Sequence, residues 1–210
     1  MRAAVPAGVI AVVRAASAGE CRTIVRGLIR AGVPAVELTM TVPDAVRIIG
    51  EFAGSGAVIG AGTVLDPVSC AACADAGARF IVSPVTDVAV LDEARRRGVP
   101  YIGGALTPTE VLASMRAGCD AVKLFPIGAV GGERYLRALR EPLPGMQAVV
   151  SGGITAGEVS GYLAAGAHAV CLGGALIDRE AARRGDAAAV ATRARRTMHE
   201  MRKADDADHH

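Results

Sequence analysis

A short apolar run recurs eight times along this chain, and this repetition constrains the fold more than any other feature. The runs begin about 20 to 27 residues apart, which is room for one strand and one crossover helix in each unit. Each run is apolar throughout rather than alternating, as is typical of parallel strands that helices cover. The eight runs comprise residues 9–14, 35–40, 57–64, 80–85, 101–106, 121–126, 148–153 and 169–174.

Signals for helix starts follow several of these runs. A Ser or Thr with Glu three residues later can form a capping box at the start of a helix. Three such pairs are present, namely Ser17 with Glu20, Thr107 with Glu110, and Thr155 with Glu158. Strands that alternate with helices wind either an open doubly wound sheet or a closed barrel. Eight evenly sized units favour the barrel, so we predict an α/β fold that is a single (β/α)8 TIM barrel.

The predicted barrel domain occupies residues 1–204. A last helix over about residues 178–201 is expected to close the chain. Residues 205–210 are polar and are predicted to form a disordered tail. No long linker interrupts the repeated units, so we expect no boundary within the barrel.

Composition excludes several classes of function. Hydrophobic residues make up 51% of the chain, which is enough for a large core, and the formal net charge is only +2. Such a balance gives no basis for binding nucleic acid or a membrane surface, and no apolar run approaches the length of a membrane span. Five cysteines, an odd number without a signal peptide, indicate free thiols in the cytoplasm.

Lys123 is the first candidate for chemistry. It lies within the sixth apolar run and is one of two lysines among 23 basic residues. Active sites of such barrels lie at the carboxyl ends of the strands. Burial favours the neutral amine, which attacks carbonyl groups, whereas arginine stays protonated. Position alone leaves two alternatives open: a nucleophile, or a lysine that reaches solvent or joins a buried ion pair.

The position of Glu37 favours the interpretation of Lys123 as a nucleophile. It is the only acidic residue within the eight runs, and it lies near the end of the second. Strand alternation places Glu37 and Thr39 on one face, and Lys123 and Phe125 on one face of their own strand. If both faces point inward, a carboxylate and an amine meet at the mouth of the barrel. Glu37 would then be a general acid and base beside a Schiff-base lysine; a structural ion pair is the alternative.

Glycine pairs end the last two runs. Gly152-Gly153 closes the seventh run and Gly173-Gly174 the eighth, where loops of such barrels commonly bind phosphate through backbone N–H groups. The helix start near Thr155 would add further donors. We therefore predict a phosphate site, with tight turns as the alternative use of these glycines. The chain has no cluster of His, Cys and carboxylates near the strand ends, so no metal is expected.

Six stretches of sequence together point to one known family. They are VELT at 36–39, IGAGTV at 59–64, VSP at 82–84, TPTE at 107–110, VKLFP at 122–126 and SGGI at 151–154. With these stretches in order, from about residue 5 to 200, the chain resembles the 2-keto-3-deoxy-6-phosphogluconate (KDPG) and 4-hydroxy-2-oxoglutarate (KHG) aldolases. These are class I enzymes on a small barrel, usually trimeric, so the resemblance implies a homotrimer without a cofactor.

The resemblance also implies roles for individual residues. Lys123 would form the Schiff base and Glu37 would carry the proton. Thr63 would hold the substrate carboxylate, while Thr39, Pro84 and Phe125 would contact the substrate. The residues expected to hold phosphate are Gly152, Gly153, Gly173 and Gly174.

Two positions depart from the family pattern. Thr41 stands where some members carry an arginine in the anion pocket, and Arg14, at the end of the first run, could supply the charge instead. Gly174 stands where many members have serine, so one hydroxyl donor to phosphate is missing. Arg14 and Thr41 are therefore included among the expected substrate-binding residues. These departures affect the choice of substrate rather than the reaction type.

The expected activity is cleavage of KDPG to pyruvate and glyceraldehyde 3-phosphate. Activity on KHG, giving pyruvate and glyoxylate, is also expected, and a small keto acid is the expected partner. Two alternatives remain. A phosphate-sugar epimerase or decarboxylase would show paired aspartates or an Asp-x-Lys motif at strand ends. A non-catalytic barrel that binds phosphorylated metabolites would tolerate loss of Lys123.

Overall fold

The computed structural model describes residues 4–207, with side chains for residues 4–201. Eight parallel strands close into a barrel in chain order, and β8 pairs with β1. The prediction of a (β/α)8 TIM barrel is confirmed. Every apolar run coincides with one strand, and each strand ends before its run does. The strands are β1 (Gly8–Val13), β2 (Ala35–Thr39), β3 (Val58–Gly62), β4 (Ile81–Val82), β5 (Tyr101–Ala105), β6 (Ala121–Leu124), β7 (Ala148–Ser151) and β8 (Ala169–Leu172).

Helices cover the outside of the barrel. They are α1 (Ala18–Arg30), α2 (Ala45–Phe52), α3 (Pro67–Asp75), α4 (Val88–Arg96), α5 (Pro108–Ala117), α6 (Gly132–Arg140), α7 (Val159–Ala164), α8 (Arg179–Arg183) and α9 (Ala187–Ala207). Short 3-10 helices follow β6 at Ile127–Val130 and β7 at Ala156–Glu158. The backbone of α9 runs into the tail that was expected to be disordered. Residues 208–210 of that tail lie outside the described residues.

Capping interactions fix where helices begin. Ser17 caps α1 by accepting a hydrogen bond from the backbone N–H of Glu20 at 3.2 Å. Thr107 and Glu110 form the predicted capping box at the start of α5. Because these caps follow β1 and β5 directly, they turn the chain from the barrel to its outer layer.

The last helix predicted over residues 178–201 is two helices. Gly185 and Asp186 separate α8 from α9. Gly185 has φ 80, in the left-handed region that glycine enters readily. Asp186 Oδ1 accepts the backbone N–H of Ala189 at 2.9 Å, so it satisfies a donor in the first turn of α9. The sequence signal for this break is the Gly-Asp pair.

Strand alternation divides the buried side chains into two layers. One layer fills the barrel and includes Ile10, Phe80, Ile102, Val149 and Cys171. The other layer points outward and packs under the helices. Because the interior layer is apolar below the strand ends, a polar side chain on an inward-facing position near those ends is unusual and marks the site.

Candidate active site

Lys123 lies near the end of β6 and is 4% exposed. Ala121, two residues earlier, belongs to the barrel interior, so alternation directs Lys123 inward as predicted. Its neighbours in the sheet are Gly104 on β5 and Val149 on β7. Gly104 carries no side chain, and the backbone of Pro84 fills the space that its Cβ atom would occupy.

Glu37 lies on the inner face of β2 and is fully buried. Neither carboxylate oxygen has a hydrogen-bond partner among the residues that the structure describes. Glu37 and Lys123 are therefore not joined by a hydrogen-bonded ion pair, which was the structural alternative. A buried carboxylate without donors has its oxygens free for a ligand.

The pKa of the Cys171 thiol on β8 is affected by both Glu37 and Lys123. The pKa of the Cys171 thiol is raised to about 12: burial is the largest cause, the nearby Glu37 carboxylate also raises the pKa, and Lys123 lowers it. The thiol is accordingly protonated at neutral pH. Ser151, its neighbour across the β7–β8 pairing, is also buried. Sequence reasoning missed Ser151 and Cys171 as parts of the site wall, although strand alternation in β7 and β8 places both on the inner face.

The expected substrate-binding residues of the first two strands lie together at the mouth. Thr39 is buried, and its hydroxyl donates to the Val13 carbonyl at 3.2 Å. Thr39 and Thr41 also share a hydrogen bond of 2.8 Å between their hydroxyl oxygens. Thr41 is exposed, as is Arg14, which follows Val13 directly. The second-strand loop is thus uncharged at this point, and Arg14 is the cation at the adjoining strand end.

Three further expected residues follow β3, β4 and β6. Thr63 has φ 58, a left-handed conformation that is rare and strained for a residue other than glycine. Pro84 packs its backbone against Gly104, where a Cβ atom would overlap it. The Nζ atom of Lys123 lies 5.4 Å from the centroid of the Phe125 ring. All three residues therefore lie at the same end of the barrel as the lysine.

Carbonyl groups in the glycine loops after β7 and β8 accept backbone hydrogen bonds. The Gly152 carbonyl accepts the N–H of Gly128 at 3.0 Å, and the Gly173 carbonyl accepts the N–H of Leu176 at 3.2 Å. In a trans peptide the N–H points opposite to the carbonyl. The amide of Gly153 consequently points away from Gly128, and the amide of Gly174 points away from the turn that Gly173 and Leu176 close. This geometry suits an anion bound by backbone donors.

The helix start at Thr155 carries the capping box that the sequence predicts. Glu158 Oε2 accepts both the backbone N–H and the hydroxyl of Thr155, each at 2.7 Å. The backbone hydrogen bond from Thr155 holds the pKa of the Glu158 carboxyl below its usual range. The capping box is present as predicted, and its carboxylate occupies the N–H and the hydroxyl of Thr155 itself. A phosphate contact at this helix start stays a prediction that rests on the amides after Thr155.

Metal-binding and membrane-spanning features are absent from the part of the chain that the structure describes. No group of three or more His, Cys, Asp or Glu residues there could hold a metal ion. None of the described helices combines the length and the apolar character needed to cross a bilayer. The ionisable side chains inside the barrel are those of Glu37, Lys123 and Cys171.

The fold and this geometry define a (β/α)8-barrel enzyme with a buried amine and a buried carboxylate at the carboxyl ends of its strands. Comparison with known proteins narrows the class. Residues 3–193 match the KDPG and KHG aldolase family, so the chain belongs to this family of class I aldolases and is a carbon–carbon lyase.

Individual relatives differ in the activities that their names give. A probable 2-dehydro-3-deoxy-6-phosphogalactonate aldolase of Rhizobium meliloti (strain 1021) is 36% identical over 171 residues, covering 80% of each chain. The KHG/KDPG aldolase of Escherichia coli (strain K12) is 33% identical over 165 residues, covering 77% of this chain and 76% of that one. A solved structure described as native KDPGal superposes with a TM-score of 0.78 at 30% identity, over 95% of this chain and 100% of the other.

Proposed function

We propose that the protein is a Schiff-base aldolase that cleaves a 2-keto-4-hydroxy acid into pyruvate and an aldehyde. Lys123 is the nucleophile and Glu37 the proton carrier. The observation that carries this proposal is the pair itself: both side chains are buried on inward-facing positions, and the Glu37 carboxylate has no described hydrogen-bond partner. A charge buried without a partner is costly, so such a carboxylate is better explained by function than by stability.

The reaction follows from these two groups. Nζ of Lys123 attacks the C2 carbonyl, and loss of water gives an iminium. Glu37 removes the C4 hydroxyl proton, the C3–C4 bond breaks, and its electron pair passes into the iminium to form an enamine. The aldehyde leaves, the enamine takes a proton at C3, and water hydrolyses the resulting iminium to pyruvate and free lysine. The iminium is the electron sink, so no metal is required, and activity should survive EDTA treatment.

Other residues would orient the substrate. The strained backbone at Thr63 suits a contact with the substrate carboxylate. Pro84, Phe125 and Thr39 would line the pocket, and Arg14 and Thr41 would meet the polar part of the aldehyde half. The amides of Gly153 and Gly174 would bind the phosphate, with Gly152 and Gly173 shaping the two loops.

For the substrate, we propose KDPG, cleaved to pyruvate and glyceraldehyde 3-phosphate, with weaker activity on KHG, cleaved to pyruvate and glyoxylate. The amides of Gly153 and Gly174, which point away from the partners of the preceding carbonyls, support the phosphorylated acid. Two features favour the smaller acid, KHG, namely the neutral side chain of Thr41 and the lack of a hydroxyl at Gly174. Pyruvate release from KDPG, its C4 epimer and KHG ranks these candidates by kcat/KM.

The test of the reaction is reductive trapping. Incubation with pyruvate and borohydride should add a reduced pyruvyl group to the peptide that contains Lys123, as read by mass spectrometry. Lys123→Arg keeps a positive charge but should give no adduct. The absence of an adduct on Lys123 in the wild-type chain would refute the proposal. That result is expected of an epimerase, a decarboxylase or a non-catalytic binding protein.

We also propose that copies of the chain associate through the outer surface around α3 and α4. Val68 is 79% exposed and Val88 is 57% exposed, and Leu65 and Val85, in the loops before α3 and α4, are exposed as well. Contiguous apolar surface of this kind marks an interaction site, and the resemblance implies a homotrimer. Light scattering should give a trimer that Val68→Asp with Val88→Asp dissociates, whereas Val58→Asp, on a separate strand, should not.

A cytoplasmic location is consistent with the cysteines. All five are free thiols, and four of them are buried. Unpaired thiols are typical of a reducing compartment. Fractionation of the producing cell would test this location.

A further inference from the structure

Two glycines form the inner face of β3, and each faces a side chain from a neighbouring strand. A Cβ atom at Gly60 would lie 2.5 Å from Cε2 of Phe80. A Cβ atom at Gly62 would overlap the carboxylate of Glu37 and lie 2.6 Å from its Cγ. Real Cβ atoms essentially never approach so closely. The space that side chains of β3 would fill is thus occupied by Phe80 from just before β4 and by Glu37 from β2.

The position of the Glu37 carboxylate shows which way the side chain is directed. In the β2–β3 register, Glu37 is paired with Gly60 and Thr39 with Gly62. The carboxylate nevertheless lies against Gly62, which is one inward-facing position nearer to the carboxyl end of the strand. The side chain is therefore inclined toward the mouth of the barrel. Nothing described donates a hydrogen bond to hold it there.

We infer that Gly62 is a positioning residue, whose missing side chain provides the surface on which the Glu37 carboxylate rests. The inference depends on the proposed role of Glu37 as the proton carrier. A carboxylate held by donors would share its lone pairs with the protein. A carboxylate positioned only by packing keeps both oxygens available to the substrate. They can take the proton of the C4 hydroxyl and later deliver a proton to C3. Because Glu37 is buried on all sides, a methyl group at position 62 must displace it.

Gly62→Ala separates positioning from Schiff-base formation. Exchange of the pyruvate methyl protons in deuterated water needs both the iminium on Lys123 and proton transfer by Glu37, whereas borohydride trapping needs only the iminium. We expect Gly62→Ala to slow exchange about 10²-fold, the usual effect of a small misplacement of a catalytic group. Trapping on Lys123 should remain near the wild-type level.

Two variants make this test specific. Gly60→Ala introduces a comparable overlap in the same strand, but against Phe80, so exchange should stay near the wild-type rate in the folded protein. Adding Glu37→Asp to Gly62→Ala shortens the acid by one methylene and withdraws it from the new methyl group. This double variant should exchange protons faster than Gly62→Ala alone. Unchanged exchange in Gly62→Ala, or no gain in the double variant, would overturn the inference.

Urea unfolding tests the same contact without pyruvate. Gly62→Ala should be strongly destabilising in the wild-type chain but much less so in a chain that already carries Glu37→Ala, because the overlapping side chain is then gone. Equal destabilisation in both backgrounds would mean that Gly62 does not serve Glu37. Loss of trapping in the wild-type chain would refute the proposed function, whereas loss of this coupling alone would refute only the role of Gly62.

Discussion

The amino group of Lys123 and the ring of Phe125 are neighbours inside the barrel mouth, with 5.4 Å between Nζ and the ring centroid. The same ring packs on the backbone of Gly152, where a Cβ atom would lie 2.9 Å from Cδ2. One aromatic side chain thus connects the proposed nucleophile with a loop proposed to bind phosphate. The length of substrate that fits between these two points depends on this ring.

Phe125→Leu should therefore affect the phosphorylated substrate most. Leucine fills less of the space beside Gly152, and a buried methylene-sized group contributes about 0.8 kcal/mol, so we expect KM for KDPG to rise about two- to tenfold. Pyruvate trapping on Lys123 should continue, because the amine itself is unchanged. Steady-state kinetics on KDPG and KHG measure the effect. An equal rise in KM for both substrates would contradict a role in the phosphate half.

Glu37→Gln preserves the shape of the side chain and removes the base. Cleavage should fall about 10²- to 10⁴-fold, which is the usual contribution of a positioned acid or base. The iminium with pyruvate should still form and be trapped. Glu141→Gln, at an exposed position after α6, is the matched control and should cleave normally. Near-normal turnover in Glu37→Gln would show that Glu37 has no part in proton transfer.

Gly174→Ser should improve binding of the phosphorylated substrate. A Cβ atom at Gly174 would meet nothing within 4 Å, and the residue does not have a positive φ, so serine fits without strain. A hydrogen bond to a charged group contributes roughly 1.5–3 kcal/mol, which predicts a fall in KM for KDPG of about ten- to a hundredfold.

The matched control for that substitution is Gly145→Ser. It places the same side chain on an exposed glycine before β7, at the opposite end of the barrel. It should leave KM for KDPG unchanged, and Gly174→Ser should leave KM for KHG unchanged. A lack of response to Gly174→Ser would mean that phosphate does not lie beside this loop.

The buried thiols predict a loss of stability in alkaline solution. Burial raises the pKa of Cys21, Cys73 and Cys171 from 9.0 to about 12. In the unfolded chain these thiols ionise near their ordinary pKa, so the folded state holds more protons between pH 9 and 12. The stabilisation is complete below pH 9 and is lost as the pH rises toward 12.

Urea midpoints measured across this range should fall steadily, and Cys73→Ala should make the decline shallower. Cys73 is buried in α3 and lies outside the proposed site, so its replacement should not alter the mechanism. A constant midpoint from pH 9 to 12 would contradict burial of the thiols.

The barrel fold and the positions of Lys123 and Glu37 could be predicted from the sequence, because they depend on local patterns of residues. Eight apolar runs specify eight strands, and alternation within a strand specifies which residues face inward. Lys123 and Glu37 are then conspicuous as charged residues on inward-facing positions. The same rule places Cys171 inside the barrel, but nothing in the residue type indicates that both charges act on its thiol.

Features that depend on contacts between strands could not be predicted in this way. The overlap of Glu37 with the space above Gly62 requires the β2–β3 register and the inclination of one side chain. The capping box of Thr155 and Glu158, by contrast, depends on residues three apart and was predicted from the sequence. The break at Gly185 was hidden by helix-favouring alanines on both sides.

Closure of the barrel makes the first strand depend on the last one made. Gly8 and Ala169 are partners across the β1–β8 seam, and α9 packs so closely on α1 that a Cβ atom at Gly27 would lie 2.6 Å from Cβ of Val190. During synthesis one edge of β1 therefore stays unpaired until β8 has left the ribosome. An unpaired strand edge can form hydrogen bonds with other chains. The segment from β8 to α9 contains neither Lys123 nor Glu37. A chain that ended before β8 would nevertheless have two unpaired sheet edges, on β1 and β7, and would aggregate rather than remain as a less active enzyme.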